Sequence, residues 1–198
     1  MKLSGNNIVL AKRQLVWEAL NDPDILKDTI PGAQSVVQIN KDEFEAVVEA
    51  KIGPVKAKFK GKIKLTDIDP PKGYKISGQG QGGSAGFAKG SAEVNLVDNG
   101  DETTTLNYIV DVQVGGKLAQ IGQRLIQGTA ISLSEKFFNN LSDRFVEEQV
   151  NEIEKNEKTV LKNKNYILNL FVSSGIRVRF ILSILLLSLA ISIFIYVR

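Results

Sequence analysis

The sequence predicts an α+β domain in which an antiparallel sheet packs against one long amphipathic helix. Three features of the chain imply it. Between Gly116 and Glu148, the residues Leu118, Ile121, Leu125, Thr129, Ser132, Leu133, Phe137, Leu141 and Phe145 recur at three- and four-residue steps. That spacing draws an apolar stripe along a helix of about nine turns. From Ala33 to Gly115 the chain reads as short strands with a two-residue period. The turn signals between them, Gly53-Pro54, Asp69-Pro70-Pro71 and Asn99-Gly100, join neighbours into hairpins. A stripe of that length has to be buried, and the sheet offers the face.

Taken in order, Lys2 to Leu10 is a first strand, and no apolar h-region follows the start, so no secretory signal is expected. Lys12 to Leu20 is a short amphipathic helix with Val16, Trp17 and Leu20 on one side. Asn21-Asp22-Pro23 stops it, and Asp22 is placed to cap a second short helix through Leu26 with Pro23 at its first position. Ile30-Pro31-Gly32 turns the chain into a hairpin of Ala33–Asn40 and Phe44–Ile52. Phe44, Ala46, Val48, Ala50 and Ile52 share one face there, and Glu43, Glu45 and Glu49 the other. Val55 to Leu65 has the cleanest alternation: Val55, Ala57, Phe59, Gly61, Ile63 and Leu65 inward, Lys56, Lys58, Lys60, Lys62 and Lys64 outward. The lysine row invites a nucleic-acid or lipid surface, but the glutamates on the adjacent strand face the same way and make cross-strand pairs the better account. No aromatic residue interrupts that face, which argues against single-stranded nucleic acid.

Tyr74 to Gly82 begins as a strand and runs into glycine. Gly78 to Gly83 superficially resembles a phosphate loop, but neither a following helix N-terminus nor a lysine-hydroxyl pair accompanies it. Gly86–Val97 and Glu102–Gly115 complete the sheet, with Ala88, Gly90, Ala92, Val94 and Leu96, then Leu106, Tyr108, Val110, Val112 and Val114, pointing inward. The inward faces are uneven. Gly78, Gly80, Ala88, Gly90 and Ala92 are small, while Phe59, Ile63, Tyr108 and Val112 are large, and the helix carries Gly122 and Gly128 beside its stripe. Close backbone packing and sheet curvature account for such glycines in one way. A cavity between sheet and helix, left for a guest, accounts for them in another. Its expected lining is Phe59, Ile63, Gly90, Ala92, Tyr108, Val112, Gly122 and Leu125, with the Tyr108 hydroxyl available to a polar atom of the guest.

Composition narrows the chemistry. At 198 residues there is material for one core and a tail. Cysteine and histidine are both absent. Disulfides and thiolate chemistry are therefore excluded, and so are the commonest metal ligand and the commonest general base at neutral pH. No catalytic residue and no metal site is expected; Tyr108, Asp111 and Glu93 are the obvious polar candidates, and parity turns Asp111 and Glu93 outward. The net charge of +3 suits a domain beside an anionic membrane.

Beyond residue 148 the pattern changes. Residues 149–179 are polar and charged for most of their length, a linker or an extension of the helix followed by a juxtamembrane segment. Phe180 to Val197 is eighteen residues without a charge, about 27 Å as a helix, and is read as a transmembrane anchor. Arg177 and Arg179, with Lys162 and Lys164 behind them, outnumber Arg198 on the far side, which places the N-terminal domain in the cytoplasm and the chain in the cell membrane.

Five segments stand out together: LNDPDILKDTIPGAQSV at Leu20, KIGPVKAKFKGKIKL at Lys51, the turn at Asp69, GFAKGSAEVNL at Gly86 and LNYIVDVQVGGKLAQIGQRLI at Leu106. In register, they resemble the CoxG family, named for a subunit of carbon monoxide dehydrogenase, within the SRPBCC, START-like helix-grip superfamily. The resemblance implies a curved seven-stranded antiparallel sheet gripping the long helix around an apolar cavity, over residues 1–148. It also implies a non-catalytic accessory of a molybdenum-containing hydroxylase of the carbon monoxide dehydrogenase type, recruiting that enzyme to the membrane and binding a quinone or lipid. A lipid-binding or lipid-transfer module unrelated to any oxidoreductase is the alternative, and a cyclase or hydrolase using the cavity is a third class.

Overall fold

The computed structural model describes residues 1–147. Strand β1 is Lys2–Val9, followed by helices α1, Arg13–Ala19, and α2, Pro23–Thr29. Strands β2 (Ala33–Asn40), β3 (Glu43–Ile52), β4 (Val55–Asp69), β5 (Gly73–Gln81), β6 (Phe87–Asp98) and β7 (Thr104–Gly115) follow, with a short 3-10 turn at Gly83–Ala85. Helix α3, Lys117–Gln120, leads into a long helix α4 over residues 123–147. The seven strands form one antiparallel sheet in the order β1-β7-β6-β5-β4-β3-β2. Each hairpin joins sequence neighbours, and β1 returns to pair with β7. Register irregularities between Ala33 and Ser35, Gln38 and Asn40, and Thr66 and Asp69 bend the sheet so that its concave face receives the helix.

Local chemistry explains the elements. The Asp22 carboxylate accepts from the main-chain N–H of Asp24 at 2.8 Å and of Ile25 at 3.0 Å, and Pro23 occupies the first turn, so α2 starts where the cap allows. The inward positions of β4, β6 and β7 are those that alternation predicts. The glycine-rich stretch after Tyr74 does not dissolve: β5 stays paired with β6 through Gln81↔Phe87. The Asn99-Gly100 hairpin forms, with a loop over 99–103 closed by Asn99 N–H to the Thr103 carbonyl at 3.1 Å.

The helix departs from the expected single stripe. Ile121 and Gly122 are not helical, and Gly122 has φ +94°. The Ile121 N–H bonds to the Leu118 carbonyl and the Ile126 N–H to the Gly122 carbonyl, so one helix closes and another opens at this glycine. The break puts Ile126 rather than Leu125 on the buried face, while Leu133, Phe137, Leu141 and Phe145 keep the inward positions expected of them. Leu118, Ile126, Phe138, Leu141 and Phe145 are buried, whereas Leu125 is 46% exposed and Ser132 is on the surface.

Packing is dense at one end of the sheet. Val9, Ala11, Val16, Ala19, Leu20, Leu96 and Leu106 enclose Phe138, Leu141 and Phe145 of α4. The Thr104 hydroxyl, fully buried, donates 2.7 Å to the Ala11 carbonyl and ties the start of β7 to the approach to α1. A second cluster, Phe44, Leu65 and Tyr74, sits under α1 and α2 with Trp17 and Leu26 packed on it. The linker expected at 149–179 and the anchor expected at 180–197 lie outside the described residues; among the described residues no helix is long and apolar enough to cross a membrane.

Candidate functional site

Between these packed regions the sheet and α4 leave a partly open cavity of about 480 Å3. Its floor comes from Phe44 and Ala46 of β3, Ile63 and Leu65 of β4, Tyr74 and Ile76 of β5, and Ala92 and Val110 beyond them. Leu133, Ser134, Phe137 and Phe138 of α4 form the roof, and Leu26, Ile30 and Pro31 of the α2 segment one wall. The turn after α2 is held to the sheet by the Glu49 N–H bonding to the Gly32 carbonyl at 2.8 Å, which keeps Ile30 and Pro31 at the wall. No charged side chain among the described residues lines the cavity. A chamber of about 190 Å3 adjoins it, with Leu133 common to both, lined by Phe59, Val112, Leu118 and Ile126 among others.

The residues expected at a cavity are thus divided. Ile63, Ala92 and Tyr108 line the large one, and Phe59 and Val112 the small one. Gly90 lies in a shallow trough of the sheet beside Ile63, Ala92 and Val112. A methyl group at Gly90 would press on the Asp111 carbonyl and on Val112, so its smallness answers to the backbone of β7 rather than to a guest. Gly122 and Leu125 line none of these spaces; Gly122 is the helix break, and Leu125 covers the Gly53 turn from outside. An unbroken helix would carry both to the cavity side, and the break at 121–122 removes that phase.

Three lining side chains carry hydroxyls: Tyr74, Tyr108 and Ser134. The Tyr108 ring stacks on Phe138 with centroids 5.7 Å apart. Its hydroxyl lies over Gly5, the β1 residue paired with it, at the β1 side of the cavity. Tyr74, which sequence reasoning passed over, is 6% exposed and meets Trp17 edge-on at 5.3 Å. Burial pushes its phenol well above the ordinary tyrosine value, so it stays protonated and neutral. Its inward parity with Ile76 was the signal that could have found it.

The outer face carries the charges. Lys56 pairs with Glu49 at 2.7 Å, Lys62 with Glu45 at 3.0 Å and Lys64 with Glu43 at 3.1 Å. Hydrogen bonds from Asn40 and then Lys64 hold the Glu43 carboxyl below its usual range, and the bond from Lys56 does the same for Glu49. These pairs are exposed and largely screened by water. The lysine row is therefore half of a cross-strand ladder. Glu93 and Asp111 also lie on this outer face, away from the cavity.

No curated protein matches the chain. Among solved structures, a conserved protein from Geobacillus kaustophilus is 35% identical with a TM-score of 0.70, over 74% of this chain and 96% of that one. The Zhui aromatase/cyclase from Streptomyces sp. R1128 shares 14% identity over 73% of this chain and 92% of its own, with a TM-score of 0.56. A START superfamily protein from Mycobacterium smegmatis shares 17% over 72% and 95%, with a TM-score of 0.57. At those two identities the likeness is one of fold: a curved sheet closed by a long C-terminal helix. The sequence profile of the CoxG subunit of carbon monoxide dehydrogenase matches residues 5–146, every element from β1 to α4, and with a helix-gripping sheet around an apolar cavity the chain belongs to the CoxG family.

Proposed function

We propose that this chain is a non-catalytic, membrane-anchored accessory protein of a molybdenum hydroxylase of the carbon monoxide dehydrogenase type, and that its domain holds a quinone or lipid between sheet and α4. The observation that carries this is the charge-free cavity of about 480 Å3 in a member of the CoxG family. Small-molecule sites fall in this size range and are mostly apolar with few polar groups. Unfilled apolar volume costs stability, so a guest would offset what the empty cavity loses. At roughly 30 Å3 for each water-sized group, the cavity takes a ring system with a short tail, and a longer tail would leave by the open side. Burial keeps the Tyr74 phenol protonated and neither histidine nor carboxylate is among the lining residues, which supports a holding role over a catalytic one. The anchor read at 180–197 would keep the cavity beside the bilayer into which such guests partition.

The test is recruitment and extraction. With the full chain present, a hydroxylase of the carbon monoxide dehydrogenase type should sediment with membranes, and deletion of residues 180–198 should release both proteins together. Solvent extraction of the purified full chain should yield a stoichiometric apolar molecule. A guest without recruitment would leave only the lipid-binding alternative; neither guest nor recruitment would sink both readings.

A further inference from the structure

The cavity offers a guest shape and little else, so its polar atoms are informative. The Ser134 hydroxyl is engaged within α4, donating 3.0 Å to the Ala130 carbonyl. The Tyr108 hydroxyl lies over Gly5 on the β1 side. Tyr74 remains. Its ring is fixed by Trp17 edge-on and by Phe44 and Leu65 in the same cluster. Its hydroxyl bonds to none of the described residues, yet it is not sealed in protein: among the described residues the side-chain atom that is both sealed and unpartnered is Arg13 Nε. Tyr74 is nearly buried and lines the cavity, and with no bond to the described residues its hydroxyl is free to take a partner there.

We infer that the cavity selects an uncharged apolar molecule bearing a hydrogen-bonding oxygen, and that the Tyr74 hydroxyl is the group that meets that oxygen. This rests on the cavity-binding reading above and narrows it. An anionic headgroup drawn inside would lose its hydration with no lysine or arginine on the lining to replace it, and an unpaired buried charge costs far more than one hydroxyl returns. A ketone, quinone, ester or alcohol oxygen carries no such penalty. The buried phenol stays protonated, so it can donate to a carbonyl or ether oxygen and accept from a hydroxyl. The carboxylates and phosphates of ordinary amphiphiles are thereby disfavoured at the Tyr74 position, and neutral oxygenated hydrocarbons are favoured.

Three ring compounds of near-equal size separate the contributions: 2-acetonaphthone, neutral with one carbonyl; 2-naphthoate, anionic; and 2-ethylnaphthalene, without oxygen. Binding of each to the full chain at pH 8 is measured by titration calorimetry, for the parent and for Tyr74→Phe, which keeps the ring. The parent should bind the ketone at least about tenfold more tightly than the anion. Tyr74→Phe should weaken the ketone by about fivefold to tenfold, the loss of one neutral hydrogen bond, and leave 2-ethylnaphthalene unchanged. Equal affinity of the parent for ketone and anion, or a ketone affinity untouched by Tyr74→Phe, overturns the inference while leaving an apolar cavity that binds. Failure of all three, 2-ethylnaphthalene included, removes the cavity-binding reading and the inference with it.

Discussion

The side-chain amide of Asn140 in α4 donates a 2.9 Å hydrogen bond to the main-chain carbonyl of Thr29, the last residue of α2. The carbonyls at a helix C-terminus lack partners within the helix, and this one is met from across the cavity wall. The Thr29 hydroxyl is meanwhile given to the Ile25 carbonyl at 2.7 Å. The bond fixes the spacing between α2, which supplies Leu26, and α4, which supplies Leu133 and Phe137. Asn140→Ala is expected to cost about 1 kcal/mol, read as a lower urea midpoint. Asn140→Asp sets an acceptor against an acceptor and should be less stable at pH 7 than the alanine variant. The reverse order would mean that the bond carries nothing.

Two glycines that look alike in the sequence should respond with opposite signs. Gly122 has φ +94°, where a side chain is strained whatever the space around it. Gly122→Ala should lose about 1–2 kcal/mol although nothing lies within 4 Å of the added methyl. Gly128 is exposed inside α4 with equally open space. There alanine should gain about 0.5–1 kcal/mol from helix propensity. Thermal unfolding of the two variants checks the pair, and a gain at both positions would show that α3 and α4 are one continuous helix.

That pair marks where the sequence was legible. Strand faces could be read directly, because a side chain on a strand has two choices and the lysines of β4 make the choice plain. The α2 cap was equally local, set by Asp22 and Pro23. The helix phase was not, since an unbroken run of apolar spacing conceals a single residue in a left-handed conformation. One slip at Gly122 exchanged Leu125 for Ile126 on the buried face. Gly90 was opaque for another reason: absence of a side chain does not say whether backbone or ligand fills the space, and here the chain of β7 does. The cavity centre moved accordingly, from the glycine end of the sheet toward Tyr74, Phe44 and α2.

Tyr74 should also shape the alkaline limit of stability. Burial raises its phenol pKa in the folded state, while the unfolded chain ionises near pH 10. Below that pH both states hold the proton and the group adds no pH dependence. Above it the unfolded chain releases a proton that the folded chain retains, so stability falls as pH rises, by at most about 1.4 kcal/mol per pH unit. Tyr74→Phe should remove this slope and match or exceed the parent at pH 8, because a hydroxyl without a protein partner is deleted. Urea unfolding at pH 8 and pH 11 provides the comparison. A variant that is less stable than the parent at pH 8, with the same slope, would show the hydroxyl to be structurally bonded.

The cavity itself is tested by an inversion of the usual size rule. Ala92 sits at the middle of β6, paired with Ile76 on β5 and Val110 on β7, and all three side chains line the cavity. Two residues earlier on the same strand, Gly90 meets the Asp111 carbonyl and Val112 instead of open volume. In a close-packed core the larger insertion is the more damaging, and Ala92→Phe would cost about 1–3 kcal/mol by overpacking. With about 480 Å3 above Ala92, the phenyl ring has room and removes apolar surface from water. Ala92→Phe is therefore expected to leave the ligand-free chain as stable as the parent or more so, while lowering affinity for 2-acetonaphthone by tenfold or more, on the order of 1.4 kcal/mol. Gly90→Ala adds one methyl and should be clearly destabilising, since backbone must move to admit it. Urea midpoints of the two variants, taken without ligand, give the order. If the phenylalanine costs more than the alanine, the space beneath α4 is filled in solution and holds no guest.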